Sequence, residues 1–376
     1  MGLGRGSLEN LVTRAPQYVA GGFYAGKSVM ITGHTGFKGG WLALWLSRLG
    51  AKVHGYALDP PTEPNLFEAA GVAAVLESDT RADVADVARL RRSLDEAQPE
   101  IVFHLAAQPL VRASYQDPLG TLATNVMGTA NLLEGARSIN AVRALVLITT
   151  DKVYENREWG YPYRETDTLG GRDPYSASKA AAEIVAASYR TSFFNGEASH
   201  AARVATARAG NVIGGGDWAQ DRLTPDCLSA FAQNQPAHLR FPQSVRPWQH
   251  VLEPLAGYLR LAEHLVAPDG ARFATAWNFG PEASGYATVG EVAETTARLW
   301  GDSARVEYAP SSGNPHEAGL LRLDSTRART ELGWKGRWSL EQALEQSVNW
   351  YRAWMRGCDM AAISIEQIRA YEAEGS

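Results

Sequence analysis

Apolar positions along this chain follow two patterns that take turns. Short unbroken apolar runs, Val29 to Ile31, Ile101 to Phe103 and Leu145 to Ile148, are bounded by turn residues. Such runs read as strands buried on both faces. Between them apolar residues recur every three or four positions, as in Trp41, Leu42, Leu44, Trp45 and Leu49, the spacing of a helix with one buried face. Val53 to Leu58 predicts a second strand and Val72 to Leu76 a third. Asp83 to Leu94 predicts a helix, Ile101 to Ala107 a strand, and 117–138 one long helix with Leu122, Val126, Ala130 and Leu133 on its stripe. Strands alternating with helices imply right-handed crossovers and a parallel sheet covered on both faces. The expected fold is therefore α/β, a doubly wound parallel sheet.

Beyond Gly210 the alternation fades. Gly214 to Trp218 predicts a loop, Pro225 to Gln233 a helix, and Arg246-Pro247-Trp248 a turn with an exposed basic residue. Leu252 to Val266 is helical by pattern, Trp277 to Pro281 a short strand and stop, and further helices are expected over Val289 to Leu299 and Leu340 to Arg356. The expected division is a weakly patterned extension over 1–26 and a Rossmann-type domain over 27–210, with a return segment near 246–280. Residues 211–376 then make a smaller, irregular α/β lobe closing over the carboxyl edge of the sheet, where ligands of such folds collect.

Composition narrows the classes of function. A chain of 376 residues with 45% hydrophobic and 20% charged residues is an ordinary globular protein long enough for two lobes. A net charge of −5 argues against a nucleic-acid partner, which calls for a basic stripe. No run reaches the ~18 apolar residues of a membrane span, and residues 1–22 lack the apolar core of a secretory leader. The two cysteines, Cys227 and Cys358, supply no disulfide framework and fit a reducing cytoplasm. No histidine forms a metal-ligand spacing, so no metal is expected.

Candidate chemistry begins after the first strand. Glycines at 33, 36 and 39 lead into the first helix. Strand, glycine turn and helix together present unpaired N–H groups and a positive dipole end to a phosphate. Gly33 suits the tight turn, Gly36 the approach of a pyrophosphate, and Gly39 the packing of helix on strand. Asp59, at the end of the second strand, stands where a carboxylate accepts the ribose hydroxyls of NAD. The small residues closing the run through Ala107 suit a backbone against a ligand, or equally a close packing contact. Asp173-Pro174-Tyr175-Ser176-Ala177-Ser178-Lys179 opens a helix, and a separation of four sets Tyr175 and Lys179 on one face. A phenol is a poor base unless a nearby cation lowers its pKa, which is the expected service of Lys179.

These residues resemble the extended branch of the short-chain dehydrogenase/reductases, and within it the nucleotide-sugar 4,6-dehydratases. The motifs are GHTGFKGGWL at 33–42, LDPPTEPNLFE at 58–68, HLAAQPLVRASY at 104–115, TNVMGT at 124–129, GGRDPYSASK at 170–179, ARAGNVIGGGDWAQDR at 207–222 and RPWQHVLEPLAGYL at 246–259. Thr150-Asp151-Lys152 resembles the Thr-Asp-Lys of the branch acting on CDP-glucose; branches acting on dTDP- and GDP-sugars usually carry Glu at the third place. Two departures are Val153, where Cys is common, and Phe241, where Asn is usual near the nucleotide.

The resemblance implies an NAD-dependent lyase with catalytic Thr150, Asp151, Lys152, Tyr175 and Lys179. It places the cofactor on Gly33, Thr35, Gly36, Phe37, Lys38, Gly39, Asp59, Asp79, Thr80, Leu105, Ala106, Ala107 and Thr124 besides Tyr175 and Lys179. It places a nucleotide sugar, CDP-glucose, on Gln108, Asn211, Arg222 and Arg246. It also implies a homodimer, or a tetramer, in the cytoplasm. Another nucleotide-sugar dehydratase or a 4-epimerase is the nearer alternative, and a non-catalytic NAD-sensing regulator the remote one.

Overall fold

The computed structural model describes residues 22–194, 200–301, 303–308 and 319–374. The N-terminal extension expected over 1–26 lies, through residue 21, outside the described residues. The strands are β1 (Ser28–Thr32), β2 (Lys52–Ala57), β3 (Ser78–Arg81), β4 (Ile101–His104), β5 (Ala144–Ile148) and β6 (Arg203–Ala209), then β7 (Asn211–Ile213), β8 (Ala237–Leu239), β9 (Val245–His250), β10 (Ala276–Phe279), β11 (Tyr286–Thr288) and β12 (Val306–Tyr308). Seven form one sheet in the order β10-β6-β5-β4-β1-β2-β3, every pair parallel. The expected doubly wound sheet is therefore present. Its order reverses between β1 and β4, and at such a switch point the crossover helices diverge and open a crevice at the strands' carboxyl ends.

The apolar runs become strands because both faces are covered. Val29, Met30, Ile31, Val102, Phe103 and Leu145 have no solvent exposure. On one face the helices Phe37–Arg48 and Leu252–Val266 pack Trp41, Trp45 and Leu255. On the other, Val87–Ala97 and Gly128–Ala136 bring Leu90, Leu94, Leu132 and Leu133, with Ala186 from Pro174–Phe193. Each fully buried Trp of this kind is worth roughly 3–5 kcal/mol against Ala.

Three expectations need correction. Val72–Val75 is a turn of 3₁₀ helix following Gly71, whose φ is +59°, and Val72 is buried beneath Gly40. The third strand is Ser78–Arg81 instead, at the edge of the sheet, where a strand needs no apolar side chains. The segment expected as one helix starts anew at Pro118, with the Asp117 side chain accepting from Gly120 N–H, and contains a π turn over Ala123–Met127. Arg246, Pro247 and Trp248 are not a turn but part of β9, between β7 and β11. Arg246 is only 7% exposed. Proline usually argues against a central strand; here the Trp248 indole, bonded to the Ala287 carbonyl at 3.0 Å, helps hold the ladder.

The small sheet β11-β9-β7 and the pair β12-β8 build the second lobe with the helices Leu223–Ala232, Val289–Trp300 and Leu340–Met355. Trp218 meets Trp350 and Trp354 edge to face. A final helix, Met360–Ala373, returns to the first one, where Glu372 accepts from the Trp45 indole at 2.9 Å and from Arg48 at 2.6 Å.

Candidate active site

The crevice at the carboxyl ends of the strands is a cleft of ≈ 2260 Å³. A site for one small molecule spans about 300–1,000 Å³, so this one has room for two large ligands side by side. Gly33, Thr35, Gly36, Phe37, Lys38, Gly39, Asp59, Leu105, Ala106, Ala107 and Thr124 line one half. Thr150, Asp151, Lys152, Tyr175 and Lys179 line the middle, and Asn211, Arg222 and Arg246 reach in from the second lobe.

The glycine turn is built for a phosphate. Gly33 has φ +81°, and a Cβ there would sit 2.6 Å from Ala106 N. A Cβ on Gly39 would meet the Gly33 carbonyl at 2.1 Å, so the helix can start close to the strand only with glycine at that place. A Cβ on Gly36 would meet nothing nearer than 3.5 Å, which leaves that side open to the cleft. No side chain caps the helix that follows Gly36, and its first-turn N–H groups and dipole favour an anion. Thr35 Oγ1 ties the turn to the end of β2 through the Leu58 carbonyl at 2.9 Å. This cradle fits the pyrophosphate of a dinucleotide.

Asp59 is on the wall of this half, with its side chain 90% exposed and Arg81 Nη1 at 3.5 Å. A ribose 2′-phosphate placed there would be repelled by the carboxylate. Replacing Asp59 by Ala should narrow the preference for NAD over NADP, read by titrating each cofactor; an unchanged ratio would remove Asp59 from that role. Asp79 and Thr80, expected beside the cofactor, do not line the cleft. The Asp79 carboxylate is bound by His34 Nε2 and Arg81 Nε, each at 2.8 Å, and the wall is continued by Ala82, Asp83 and Val84.

In the middle of the cleft, Thr150 follows β5 and caps the short turn Asp151–Val153. Its hydroxyl donates to Asp151 Oδ1 at 3.0 Å, and the Tyr175 phenol is close enough to feel it. Asp151 is 1% exposed, and its Oδ2 has no hydrogen-bond partner among the described residues. A buried, unsatisfied carboxylate oxygen is costly and marks a place for a ligand's donor. The same holds for Asn211 Oδ1. Lys152 Nζ stands 3.8 Å from Asp151 Oδ1 and is about a third exposed.

Burial pushes the Tyr175 phenol up to about 12, while the Thr150 hydroxyl pulls it down. The lowering expected from Lys179 is therefore reversed, for two reasons. Desolvation dominates at a group this deep, and the Lys179 ammonium donates instead to the Ile148 carbonyl at 3.1 Å. Lys179 itself is brought down to about 8 by burial, against the pull of Glu183.

Glu183 escaped the sequence reading although it continues the spacing of Tyr175 and Lys179 along one helix face. It is 4% exposed and accepts from Thr149 Oγ1 and Thr206 Oγ1 at 2.6 Å each, and from Arg208 at 2.9 and 3.0 Å. A fully bonded buried carboxylate of this kind fixes the floor of the site on which Lys179 rests.

Toward the second lobe, Arg222 holds Asp217 at 2.9 Å, and Asp221 joins Arg240 at 3.0 Å and Arg112 at 3.5 Å. Asp217, Asp221, Arg240 and Arg112 all line the cleft, and none was singled out from sequence. Gln108, expected to touch the substrate, does not line it. Its amide is spent on Thr121 Oγ1 at 2.9 Å and Leu110 N–H at 2.6 Å.

Residues 30–347 match the family model described as GDP-mannose 4,6 dehydratase. The chain belongs to that family. This dehydratase is 50% identical over 351 residues to the CDP-glucose 4,6-dehydratase of Salmonella typhimurium strain LT2, covering 93% of this chain and 97% of the other. Identity to the dTDP-glucose 4,6-dehydratase of Xanthomonas campestris pv. campestris (strain ATCC 33913) is 26% over 368 residues, 91% of this chain and 98% of that one. Among solved structures, the UDP-glucose-4-epimerase of Stenotrophomonas maltophila with bound NAD superposes with a TM-score of 0.76 at 21% identity, over 88% of this chain and all of the other. The NAD-dependent NDP-hexosamine 5,6-dehydratase TunA superposes with a TM-score of 0.71 at 25% identity, over 87% of this dehydratase and 98% of that chain.

Proposed function

We propose that the cleft converts CDP-glucose to CDP-4-keto-6-deoxyglucose and water with NAD as cofactor, supplying deoxysugar biosynthesis. The observation that carries this reading is the Asp151–Lys152 pair set beside Thr150 and Tyr175. A 4-epimerase needs the Tyr and Lys but no acid and base for elimination, and a regulator would have no use for either set. The half-identical relative acting on CDP-glucose supports the choice of nucleotide.

The glycine turn and Asp59 would hold NAD, whose nicotinamide would supply hydride transfer at C4 and C6 of the sugar. Tyr175, once ionised, takes the proton from O4, and Thr150, close to the phenol, holds the same oxygen. The resulting 4-ketone acidifies the C5 proton. Lys152 removes that proton, and Asp151, buried with one oxygen unpartnered, delivers a proton to the departing O6. Arg222 and Arg246 bind the diphosphate, where guanidinium geometry suits phosphate oxygens. Purified protein given CDP-glucose and NAD should yield a 4-keto product lighter by one water, seen by mass spectrometry. Accumulation of a C4 epimer, or turnover of another nucleotide sugar with CDP-glucose untouched, would overturn the proposal.

The assembly proposed is a homodimer in the cytoplasm. Leu119, Leu122, Met127 and Ile184 are 77%, 39%, 56% and 60% exposed on the adjoining helical segments 118–136 and 174–193. An apolar patch of this sort, on two neighbouring helices, suits a two-fold interface. Light scattering should report a dimer, and Ile184→Glu a monomer; a monomeric parent protein at micromolar concentration would refute the assembly.

A further inference from the structure

The helix Val111–Gln116 is six residues long and makes two contacts that lead in opposite directions. Toward the sheet, Ser114 has no solvent exposure. Its Oγ accepts from the Tyr175 N–H at 3.1 Å and donates to the Val111 carbonyl at 2.6 Å. Tyr175 is the second residue of its helix, where a backbone N–H has no partner within the helix. The next N–H, that of Ser176, is taken by Asp173 at 2.9 Å. The start of the helix that carries the phenol is therefore fixed from outside by Ser114.

Toward the second lobe, Arg112 Nε stands 3.5 Å from Asp221 Oδ1, an ion pair across the cleft that both residues line. Asp221 is held on its own side by Arg240, whose Nη1 and Nη2 lie 3.1 and 3.0 Å from the same oxygen. Its backbone has φ +60°, a left-handed conformation that few non-glycine residues adopt. Such outliers persist where the surroundings hold them, and they cluster at functional sites. Asp221 immediately precedes Arg222, the residue that would bind the diphosphate. The Arg112 and Asp221 side chains are 31% and 39% exposed, and pairs this exposed add little to stability. What the pair supplies is position.

We propose that Arg112 is a positioning residue for the catalytic tyrosine. Its pair with Asp221 ties the helix Val111–Gln116 to the loop that ends in Arg222, and Ser114 ties the same helix to the start of the Tyr175 helix. A diphosphate seated on Arg222 holds that loop, the ion pair holds the short helix, and the phenol is kept over O4. Binding energy from the nucleotide, remote from the reacting atoms, is thereby used for orientation at C4. A misplacement of ~1 Å between reacting groups costs about 10²-fold in rate. The proposal rests on the reading that the cleft oxidises a nucleotide sugar through Tyr175.

The test is a double-mutant cycle, read as the single-turnover rate of nicotinamide reduction at saturating CDP-glucose. Arg112→Met and Asp221→Asn should each slow that step by about 10–100-fold, while calorimetry shows unchanged affinities for CDP and NAD. Asn tolerates the left-handed backbone, so the second substitution removes the charge and keeps the turn. The doubly substituted protein should be no slower than the slower single variant, because both changes remove one interaction. Arg112→Lys, which keeps the charge, should recover most of the rate. If the Met variant fails to fold, Asp221→Asn and Arg112→Lys still decide the matter. Reduction at the parent rate in Asp221→Asn, losses that multiply in the double variant, or a loss confined to CDP affinity would overturn the proposal. A parent protein that neither reduces its nicotinamide nor releases a 4-keto product from CDP-glucose would instead overturn the substrate reading.

Discussion

Tyr175→Phe leaves bound CDP-glucose unoxidised, so no reduced nicotinamide appears even transiently. In the proposed mechanism the phenol takes the O4 proton, and it is only 8% exposed. Loss of one positioned base costs ~10²–10⁴ in rate. Stopped-flow absorbance at the nicotinamide band follows the first step directly. Reduction at the parent rate would show that another group removes the O4 proton. The substitution removes only a hydroxyl and leaves the ring packed, so substrate affinity should change little.

Asp151→Asn produces the opposite signature. Oxidation at C4 proceeds, because Tyr175, Thr150 and Lys179 remain, and elimination then stalls for want of the acid. Reduced nicotinamide and a 4-keto-hexose should therefore accumulate on the enzyme, with overall turnover down by ~10²–10⁴. Asn keeps the shape and the acceptor toward the Thr150 hydroxyl, so the geometry of the first step survives. Lys152→Ala should stall at the same stage and also lose exchange of the C5 proton with deuterium from solvent, read by mass spectrometry. Undiminished exchange would remove Lys152 as the C5 base. A variant at Asp151 that forms no reduced nicotinamide would place that carboxylate in the first step.

The parts legible in the sequence were those whose cause is local. β1, β4 and β5 are apolar on both faces, and the helix Leu252–Val266 was bounded at both ends by its pattern. The glycine turn, Thr150 to Lys152, and the Tyr175/Lys179 pair each lie within a few consecutive residues, so spacing alone brings their groups together. What escaped depends on distant chain. β3 is an edge strand of polar residues, and β9 contains a proline; each is a strand because its neighbours supply a ladder. Glu183 and Arg208 meet only when the helix lies on β6. The phenol of Tyr175 was expected to be lowered because Lys179 is visible four residues on, whereas the burial that raises it is made by the whole cleft. Gln108 sits within a motif of the family, yet the π turn beside it claims its backbone through Asn125.

The closing helix Met360–Ala373 has a bearing on how the chain is made. Its Tyr371 packs on Trp45, 5.7 Å between ring centroids, and donates to the buried Glu253 at 2.6 Å. The strand β10, which completes the sheet beside β6, is likewise drawn from late in the chain. A nascent polypeptide that has emerged only through β6 has an open sheet edge and part of the first helix uncovered. The edge is closed once β10 has emerged, and the first helix is covered only after Met360–Ala373 has left the ribosome tunnel. Until then apolar surface of the growing chain stays uncovered, and premature termination within the helix Met360–Ala373 would leave Trp45 without the Tyr371 ring against which it packs.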